Sequence, residues 1–188
     1  MKSLTKKELR LIYKEKRNAL SSDEVIFLSE KIFHNFIKQF DIKANSHIHC
    51  FISISSKKEV ETKSFFNYCF QNNIKIYVPK IVGDEMISVE VLSDSKFEVN
   101  NWGVIEPVSN VEAEVSTFDY CITPLLYCDS KGNRVGYGKG FYDKFFEKAK
   151  VAHKVGLNFF EINEIVSDFD INDISMDFLV TPFSVNSF

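Results

Sequence analysis

The sequence predicts a single α/β domain, residues 1–188, with a mixed, mainly parallel sheet flanked by helices. Apolar, β-prone runs alternate with segments of helical periodicity, and this alternation occurs twice along the chain. A chain of 188 residues can bury roughly 70% of its unfolded surface, which is enough for one core. The predicted strand–helix–strand units are residues 48–54, 64–71 and 74–79, and then residues 118–128, 141–150 and 151–157.

Two helices are predicted before the first strand. Thr5 is suited to cap a helix that runs to about residue 20. Ser21 and Glu24 have the spacing of a capping box, so a second helix is expected to begin there. The expected buried residues are Leu9, Ile12, Tyr13 and Leu20 in the first helix and Phe27, Leu28, Ile32, Phe33, Phe36 and Ile37 in the second.

The remaining elements have weaker sequence signals. Residues 87–107 are predicted to form a strand or hairpin that ends in a turn at Trp102 and Gly103. A last strand is predicted at residues 178–180. The 19 phenylalanines are interpreted as core residues.

Charge and composition argue against several classes of function. The net charge is -3, so no overall field attracts nucleic acid or an acidic membrane, and any anion site must be local. No apolar run approaches the roughly 20 residues of a membrane span, and the first ten residues lack the apolar segment of a signal peptide. We therefore expect a cytoplasmic protein without nucleic-acid or membrane partners. A monomer is also expected. Reduced core thiols are expected at Cys50, Cys69, Cys121 and Cys128.

Residues 132–143 hold four of the chain's seven glycines together with Arg134 and Lys139. Glycines let backbone N–H groups approach an anion closely, and the two cations add positive charge. The segment lies between a predicted strand and a predicted helix, whose free N-terminal N–H groups would point at the same anion. A phosphate or nucleotide site is therefore predicted, although the spacing matches neither the Rossmann nor the P-loop pattern. The alternative is a glycine-rich turn with solvated cations.

Residues 132–144, Gly-Asn-Arg-Val-Gly-Tyr-Gly-Lys-Gly-Phe-Tyr-Asp-Lys, resemble the signature of the 5-formyltetrahydrofolate cyclo-ligases, also called methenyltetrahydrofolate synthetases. Weaker similarities follow in the family's order at residues 6–10, 59–62 and 176–181, so the resemblance spans nearly the whole chain. It implies a fold like that of the sugar-phosphate isomerase and coenzyme A transferase-like group. Phe141 departs from the tyrosine that is common at its position.

The resemblance also implies a reaction. A formamide oxygen is a poor leaving group, so ATP must phosphorylate the formyl oxygen of 5-formyltetrahydrofolate before N10 closes the ring to give 5,10-methenyltetrahydrofolate. Such chemistry asks the protein mainly for positioning and charge neutralisation. Catalytic roles are implied for Arg134 and Lys139. ATP contacts are implied at Lys6, Arg10, Arg134, Gly136, Tyr137, Gly138, Lys139, Gly140 and Tyr142.

Folate and metal contacts are implied in the same way. Glu59 would accept hydrogen bonds from the 2-amino and N3–H groups of the pterin ring, and Glu61 is the alternative carboxylate. Mg²⁺ would be held by Asp143 and Asp177, because this cation prefers carboxylate, phosphate and water oxygens. The implied substrate contacts are Ile54, Glu59, Trp102, Tyr137 and Phe141. The structural alternatives are a solvated helix face for Lys6 and Arg10, a dipole-compensating role for Asp143, a loop cap for Asp177, and a core or rim position for Trp102.

Two other functions stay open on the sequence alone. One is a sugar-phosphate isomerase or another nucleotide-using transferase on the same architecture, since a fold does not fix function. The other is a non-enzymatic nucleotide-sensing or nucleic-acid-binding module, against which the net acidity argues. Titration with 5-formyltetrahydrofolate in the presence and absence of ATP separates the three.

Overall fold

The computed structural model describes residues 1–100 and 104–188, which contain four α-helices, one 3-10 helix at Ser55–Lys57 and thirteen strands. The helices are α1 (Lys6–Ala19), α2 (Ser22–Gln39), α3 (Lys63–Gln71) and α4 (Phe141–Lys148). The strands are β1 (Lys2–Leu4), β2 (His47–Cys50), β3 (Lys75–Val82), β4 (Glu85–Val91), β5 (Phe97–Val99), β6 (Ile105–Pro107), β7 (Phe118–Pro124), β8 (Tyr127–Cys128), β9 (Arg134–Val135), β10 (Val151–Leu157), β11 (Glu164–Val166), β12 (Phe178–Val180) and β13 (Val185–Ser187).

Both predicted helix starts are confirmed, and each is fixed by a capping box. The Glu8 N–H donates to the Thr5 hydroxyl oxygen at 3.3 Å, and the Thr5 N–H donates to the Glu8 carboxylate at 2.8 Å. Ser21 and Glu24 make the same reciprocal pair at the start of α2. Each cap pairs N–H groups that the helix itself leaves free, which stabilises a helix start by about 1 kcal/mol.

The buried face of α2 differs from the predicted one at Phe27. The buried stripe of this helix consists of Val25, Ser29, Ile32 and Phe36. Phe27 follows Val25 by two residues, about 200° around the helix axis, and is 59% exposed. Its ring instead lies 4.6 Å from the Lys31 Nζ. Of the other predicted residues, Leu28, Phe33 and Ile37 pack against the core from partly buried positions.

The central sheet of the described residues has the strand order β13-β12-β10-β7-β2-β3-β4. The pairs from β12 to β3 are parallel, and the two outermost pairs, β13 with β12 and β3 with β4, are antiparallel. The prediction of a mixed, mainly parallel sheet is therefore confirmed. Strands β10 and β12 have the predicted bounds.

The order in which the chain adds strands to the sheet reverses between β2 and β7. The chain leaves β2, passes through α3 and returns in β3 on one side, whereas it leaves β7, passes through α4 and returns in β10 on the other. Helices α2 and α3 pack on one face and α4 on the other, so both faces are covered. In open sheets of this kind, ligands bind in the crevice outside the carboxyl ends of the two strands where the order reverses. That crevice lies beyond Cys50 and Pro124.

Residues 118–128 form two strands, not the single predicted one. Strand β7 ends at Pro124, and β8 then pairs with β9 as an antiparallel hairpin. The Leu126 N–H donates to the Val135 carbonyl at 2.8 Å, which closes this hairpin onto itself. The glycine-rich segment therefore leaves the sheet through a small hairpin before it reaches α4.

Several short strands are absent from the sequence prediction. Strand β1 pairs in parallel with β11, and β13 adds an antiparallel edge to the sheet. Residues 87–107 supply most of β4 and a separate hairpin of β5 and β6. The predicted turn at Trp102 and Gly103 lies outside the described residues.

The four cysteines are buried free thiols, as predicted. Burial raises the pKa of both Cys69 and Cys121 to about 12, so these thiols are protonated at neutral pH. Among residues 1–100 and 104–188, no helix combines the length and apolar character needed to cross a membrane.

Candidate active site

Three parts of the chain meet at the crevice beyond β2 and β7. The loop after β2 carries Glu59, and the segment after β9 carries residues 136–140. Helix α1 connects to that segment through two arginines. The Arg10 Nε donates to the Gly136 carbonyl at 2.8 Å, and the Arg17 Nη2 donates to the Tyr137 hydroxyl at 2.6 Å. The predicted ATP-binding and folate-binding segments are therefore neighbours in the fold.

The glycines of this segment have different structural roles. A Cβ at Gly136 or Gly140 would have no described heavy atom within 4 Å, and a Cβ at Gly138 would lie 3.3 Å from the Arg10 guanidinium carbon. The backbone from Gly136 to Gly140 is thus open to an approaching anion. Gly132 is different, because its Cβ would lie 2.5 Å from the Met176 carbonyl oxygen. That glycine is required for packing.

The start of α4 leaves its backbone N–H groups free of any side-chain cap. Its N-cap residue is Gly140, at φ 70, which has no side chain to accept a hydrogen bond. Helices α1 and α2, in contrast, begin with capping boxes. Uncapped N–H groups and the positive end of the helix dipole together favour an anion at this position.

The cations predicted to bind ATP differ in the contacts that they make within the protein. Lys139 is exposed and makes no ion pair with any described residue. The Arg10 guanidinium lies beside Gly138 through its contact with Gly136. The Lys6 Nζ forms a partly buried ion pair with Asp173, so an incoming phosphate would have to compete with that carboxylate. Lys139 is therefore the predicted cation with the greatest freedom to reach a ligand.

Arg134 and Asp143 form an ion pair that holds the glycine segment to the C-terminal region. The Arg134 Nη2 donates to the Asp143 Oδ1 at 2.5 Å, and its Nη1 donates to the Ile174 carbonyl. The Ile174 N–H in turn donates to the same Asp143 oxygen at 3.1 Å. The Arg134 side chain is only 8% exposed. This network fixes the direction of the guanidinium and couples it to the first turn of α4.

The two predicted metal ligands present different oxygen atoms. Asp143 uses Oδ1 for its hydrogen bonds, which leaves Oδ2 available. Asp177 uses both oxygens, because Oδ2 accepts from the Lys154 N–H at 2.7 Å and Oδ1 accepts from the Lys154 Nζ at 3.0 Å. Within the described residues, no three His, Cys, Asp or Glu side chains form a group that could hold a metal. A metal bound here would therefore need oxygens from a ligand or from water.

A narrow cavity lies at the carboxyl ends of three adjacent strands, β10, β7 and β2. It has room for little more than a water molecule. Glu59 lines it and is 3% exposed, whereas the half-buried Glu61 does not line it. The geometry thus favours Glu59 as the carboxylate that faces a ligand. The other lining residues are Arg17, Phe51, Val60, Pro124, Leu125, Leu157, Asn158 and Phe159.

Glu59 belongs to a hydrogen-bond chain that ends at a buried arginine. The Tyr137 hydroxyl donates to the Glu59 Oε1 and accepts from the Arg17 Nη2. The other carboxylate oxygen accepts from the Ile54 N–H at 2.8 Å. Burial, followed by the nearby Glu59 charge, raises the pKa of the Tyr137 hydroxyl above its ordinary value. This phenol therefore stays protonated and bridges the two opposite charges.

The remaining predicted contacts are less direct. Ile54 contributes its backbone N–H to Glu59, and Phe141 is half-buried at the first position of α4. The Tyr142 ring packs with His49 and Phe146, and its buried hydroxyl has no hydrogen-bond partner in the described residues. The backbone N–H of Tyr142 lies in the first turn of α4, where free N–H groups point toward the preceding glycine segment. Trp102 lies outside the described residues.

Arg17 and Asn158 are not among the predicted site residues, although each has a recognisable signal in the sequence. Arg17 continues the buried face of α1 at the four-residue spacing of Leu9 and Tyr13, so a charge occupies an apolar stripe. Asn158 directly follows β10 at the carboxyl end of a parallel strand, where ligands bind in such sheets. Both signals become informative only when the strand order is known.

Comparison with known proteins gives consistent matches. The model of the 5-formyltetrahydrofolate cyclo-ligase family matches residues 2–182. The structure of a 5,10-methenyltetrahydrofolate synthetase from Aquifex aeolicus is similar at a TM-score of 0.83 and 30% identity, over 98% of this chain and 93% of that one. A probable 5-formyltetrahydrofolate cyclo-ligase from Schizosaccharomyces pombe is 27% identical over 152 residues, 78% of this chain and 74% of the relative. A 5-formyltetrahydrofolate cyclo-ligase from Saccharomyces cerevisiae is 27% identical over 171 residues, 80% of this chain and 79% of the relative.

Proposed function

Because the chain belongs to the 5-formyltetrahydrofolate cyclo-ligase family, we propose that it converts 5-formyltetrahydrofolate and ATP into 5,10-methenyltetrahydrofolate, ADP and phosphate. One observation carries the proposal: two different binding surfaces meet at the crevice where the sheet order reverses. The open backbone of Gly136–Gly140 beside the uncapped α4 suits phosphate groups. The buried Glu59 between apolar walls suits a flat ring with N–H donors.

The reaction asks for two bonds to be made in sequence. The formyl oxygen attacks the γ-phosphorus of ATP, and the bond from that phosphorus to the ADP oxygen breaks. N10 then attacks the formyl carbon, loses its proton and closes the ring, while the phosphate leaves with the former formyl oxygen. Both steps depend on alignment of the reacting atoms and on neutralisation of phosphate charge.

The residues around the glycine segment divide this work. The N–H groups of Gly138 to Tyr142 would bind phosphate oxygens, and Lys139 would approach the transferring phosphoryl group. Arg134 would act from a fixed position, because Asp143 and Ile174 hold its guanidinium. Arg10 and Lys6 would contact ATP from α1, with Lys6 exchanging Asp173 for phosphate. Ile54, Phe141 and Trp102 would border the folate.

The carboxylates present fit Mg²⁺ with unequal ease. Asp143 offers a free Oδ2, which matches the habit of Mg²⁺ to take one or two carboxylates together with substrate phosphates and waters. Asp177 would serve as a second ligand after Lys154 releases one of its oxygens. The ion would supply charge neutralisation for the ATP phosphates.

Asp143→Asn is expected to raise the Mg²⁺ concentration that gives half the maximal rate by about tenfold. The amide keeps an acceptor for Arg134 and Ile174 but lacks the negative charge that attracts the cation. Steady-state rates measured over a Mg²⁺ series provide the test, with Glu147→Gln on the exposed side of α4 as the control. An unchanged Mg²⁺ dependence in Asp143→Asn would show that ATP and water alone hold the metal.

ATP hydrolysis is expected to require 5-formyltetrahydrofolate, which is the direct test of the proposed function. The nucleophile is the formyl oxygen, so we expect little attack of water on ATP when the folate is absent. Parallel assays of phosphate release and of methenyl product absorbance should show one phosphate per product. Equal ATP turnover with and without the folate would refute the proposal.

The family match does not favour the alternative of a sugar-phosphate isomerase or another nucleotide-using transferase. A fold relationship to the sugar-phosphate isomerase and coenzyme A transferase-like group is retained as a proposal. We also retain a monomeric state, a cytoplasmic location and the absence of a nucleic-acid partner as proposals. Size-exclusion chromatography with light scattering tests the monomer, because a dimer would elute at twice the 21.7 kDa chain mass.

A further inference from the structure

Two buried side-chain donors at the crevice have no hydrogen-bond partner among the described residues. They are the Nε of Arg17 and the Nδ2 of Asn158. Arg17 is 5% exposed and Asn158 is 3% exposed, and both line the cavity that contains Glu59. Buried polar groups in proteins are nearly always hydrogen-bonded. Two unpaired donors in one cavity therefore indicate a ligand that brings acceptor atoms to them.

The charges of the cavity restrict which part of a ligand can enter. Arg17 forms no ion pair with any described residue, and its positive charge is connected to the Glu59 carboxylate through the Tyr137 hydroxyl. One buried cation and one buried anion already balance each other. A charged group placed between them would leave one charge uncompensated, which is costly in a buried site. The inserted end of the ligand is therefore neutral, which excludes a phosphate or a carboxylate.

The hydrogen bonds of the Tyr137 hydroxyl show which side of the cavity needs a donor from the ligand and which side needs an acceptor. It accepts from the Arg17 Nη2 at 2.6 Å and donates to the Glu59 Oε1. A ligand that replaced this hydroxyl would need donors toward Glu59 and acceptors toward Arg17. Asn158 adds a second place for an acceptor, through its unpaired Nδ2.

The walls of the cavity suit a flat ring. Phe51, Val60 and Leu157 provide apolar surface around the three polar side chains. The present space is too small for a bicyclic ring, so binding requires that the Tyr137 hydroxyl give up its place between Arg17 and Glu59. Tyr137 is 37% exposed and is flanked by Gly136 and Gly138. Its side chain can therefore move outward with the glycine segment.

The pterin ring of the folate has this distribution of donors and acceptors. Its 2-amino and N3–H donors would face Glu59, and the neighbouring 4-oxo oxygen and N1 are acceptors. We propose that Arg17 and Asn158 are substrate-contacting residues that donate to these ring acceptors and so determine selectivity for the 2-amino-4-oxo ring. The inference rests on the proposed function, since it concerns the same substrate.

Removal of the Asn158 donors is expected to weaken folate binding without weakening the fold. Asn158→Leu has nearly the same volume and removes a buried amide with an unpaired donor, so the melting temperature should stay equal or rise. The KM for 5-formyltetrahydrofolate should rise about tenfold, the loss of one hydrogen bond, while the KM for ATP stays unchanged. Asn35→Leu is the control, because its amide donates to the Thr181 carbonyl and Asn35 does not line the cavity. A purely structural role would change melting and binding together.

Arg17→Met and Arg17→Lys test the second donor. The Met variant should weaken folate binding about thirtyfold, because a charged hydrogen bond is lost. The Lys variant keeps the charge and should recover part of the affinity. Folate affinities of Asn158→Leu and Arg17→Met that equal the wild-type value, in folded proteins, would overturn the inference.

A measurement on the wild-type protein removes any dependence on folded variants. In ¹⁵N-labelled protein, titration with 5-formyltetrahydrofolate should shift the Asn158 side-chain amide signal and the Arg17 Nε–H signal downfield. Both signals unmoved at saturation would refute the inference. A wild-type protein that forms no methenyl product would refute the proposed function instead, so the two failures are distinguishable.

Discussion

Glu59→Gln is expected to weaken folate binding while leaving ATP binding nearly intact. The carboxylate is 3% exposed and lines the cavity beside Arg17. The amide retains one acceptor oxygen, which can serve the Ile54 N–H, but it presents an NH₂ group where the pterin ring also donates. Losing one partner of a buried, charged hydrogen-bond pair costs about 2 to 5 kcal/mol. That loss corresponds to a roughly thirty- to several-thousand-fold decrease in affinity.

Isothermal titration of Glu59→Gln and Glu61→Gln with 5-formyltetrahydrofolate tests this expectation. Glu61 is the matched control because it is two residues away, carries the same charge and does not line the cavity. Weakened binding in Glu61→Gln alone would mean that the other carboxylate holds the pterin. Unchanged affinity in both folded variants would place the ring site elsewhere in the protein.

Lys139→Met is expected to lower kcat/KM about a hundredfold, with the fold intact. Lys139 is exposed between Gly138 and Gly140 and makes no ion pair with the described residues, so its removal breaks no structural contact of that kind. Its ammonium group can reach a phosphoryl group held by the open backbone and the start of α4. Loss of a preorganised charge contact in a transition state costs about 3 kcal/mol, which is about a hundredfold in rate.

Lys144→Met is the matched control for Lys139→Met. Lys144 is an exposed lysine in α4 that is not among the predicted site residues, so the overall charge changes by the same amount in both variants. Steady-state kinetics and thermal melting should be recorded for both. A Lys139→Met protein with wild-type kcat/KM would make this lysine a solvated loop residue.

Much of the fold could be predicted because the relevant signals are local. The capping boxes at Thr5 and Ser21 each involve residues three apart, and helix starts follow from them directly. Strand β10 also has the predicted bounds, Val151–Leu157, and the polar residues Lys150 and Asn158 flank it. The β-α-β order then implies parallel strands, since a parallel pair needs a crossover.

The parts that could not be predicted depend on distant pairing. Strand β1 pairs with β11, which lies about 160 positions later in the chain, as Lys2 opposite Glu164 shows. A strand of three residues is too short to show the alternation of apolar and polar residues by which strands are predicted. The β8–β9 hairpin cannot be predicted for another reason: the residues on both sides of Pro124 are mostly apolar, so hydrophobicity does not mark the end of β7.

The candidate site shows the same division. The glycine segment was recognisable because its residues are consecutive, and the structure leaves Gly136 and Gly140 open as a phosphate site requires. The ion pair of Arg134 with Asp143 is not predicted from the sequence, because the two residues lie nine positions apart in different elements and only the fold brings their side chains into contact. Arg17 and Asn158 cannot be assigned to one site from the sequence, because the first lies in a helix and the second after a strand, and only the fold brings them together.

In the proposed site, the position of Tyr137 couples the binding of ATP to the binding of the folate. This residue stands between two glycines of the backbone proposed to bind phosphate, yet its hydroxyl lies between Arg17 and Glu59 in the cavity proposed for the pterin ring. A nucleotide that reorders Gly136–Gly140 therefore changes the free energy needed to open the cavity. Linkage requires the effect to be reciprocal, so folate must alter ATP affinity by the same factor as ATP alters folate affinity. In the proposed site, one side chain therefore couples nucleotide binding to folate binding over the width of one loop.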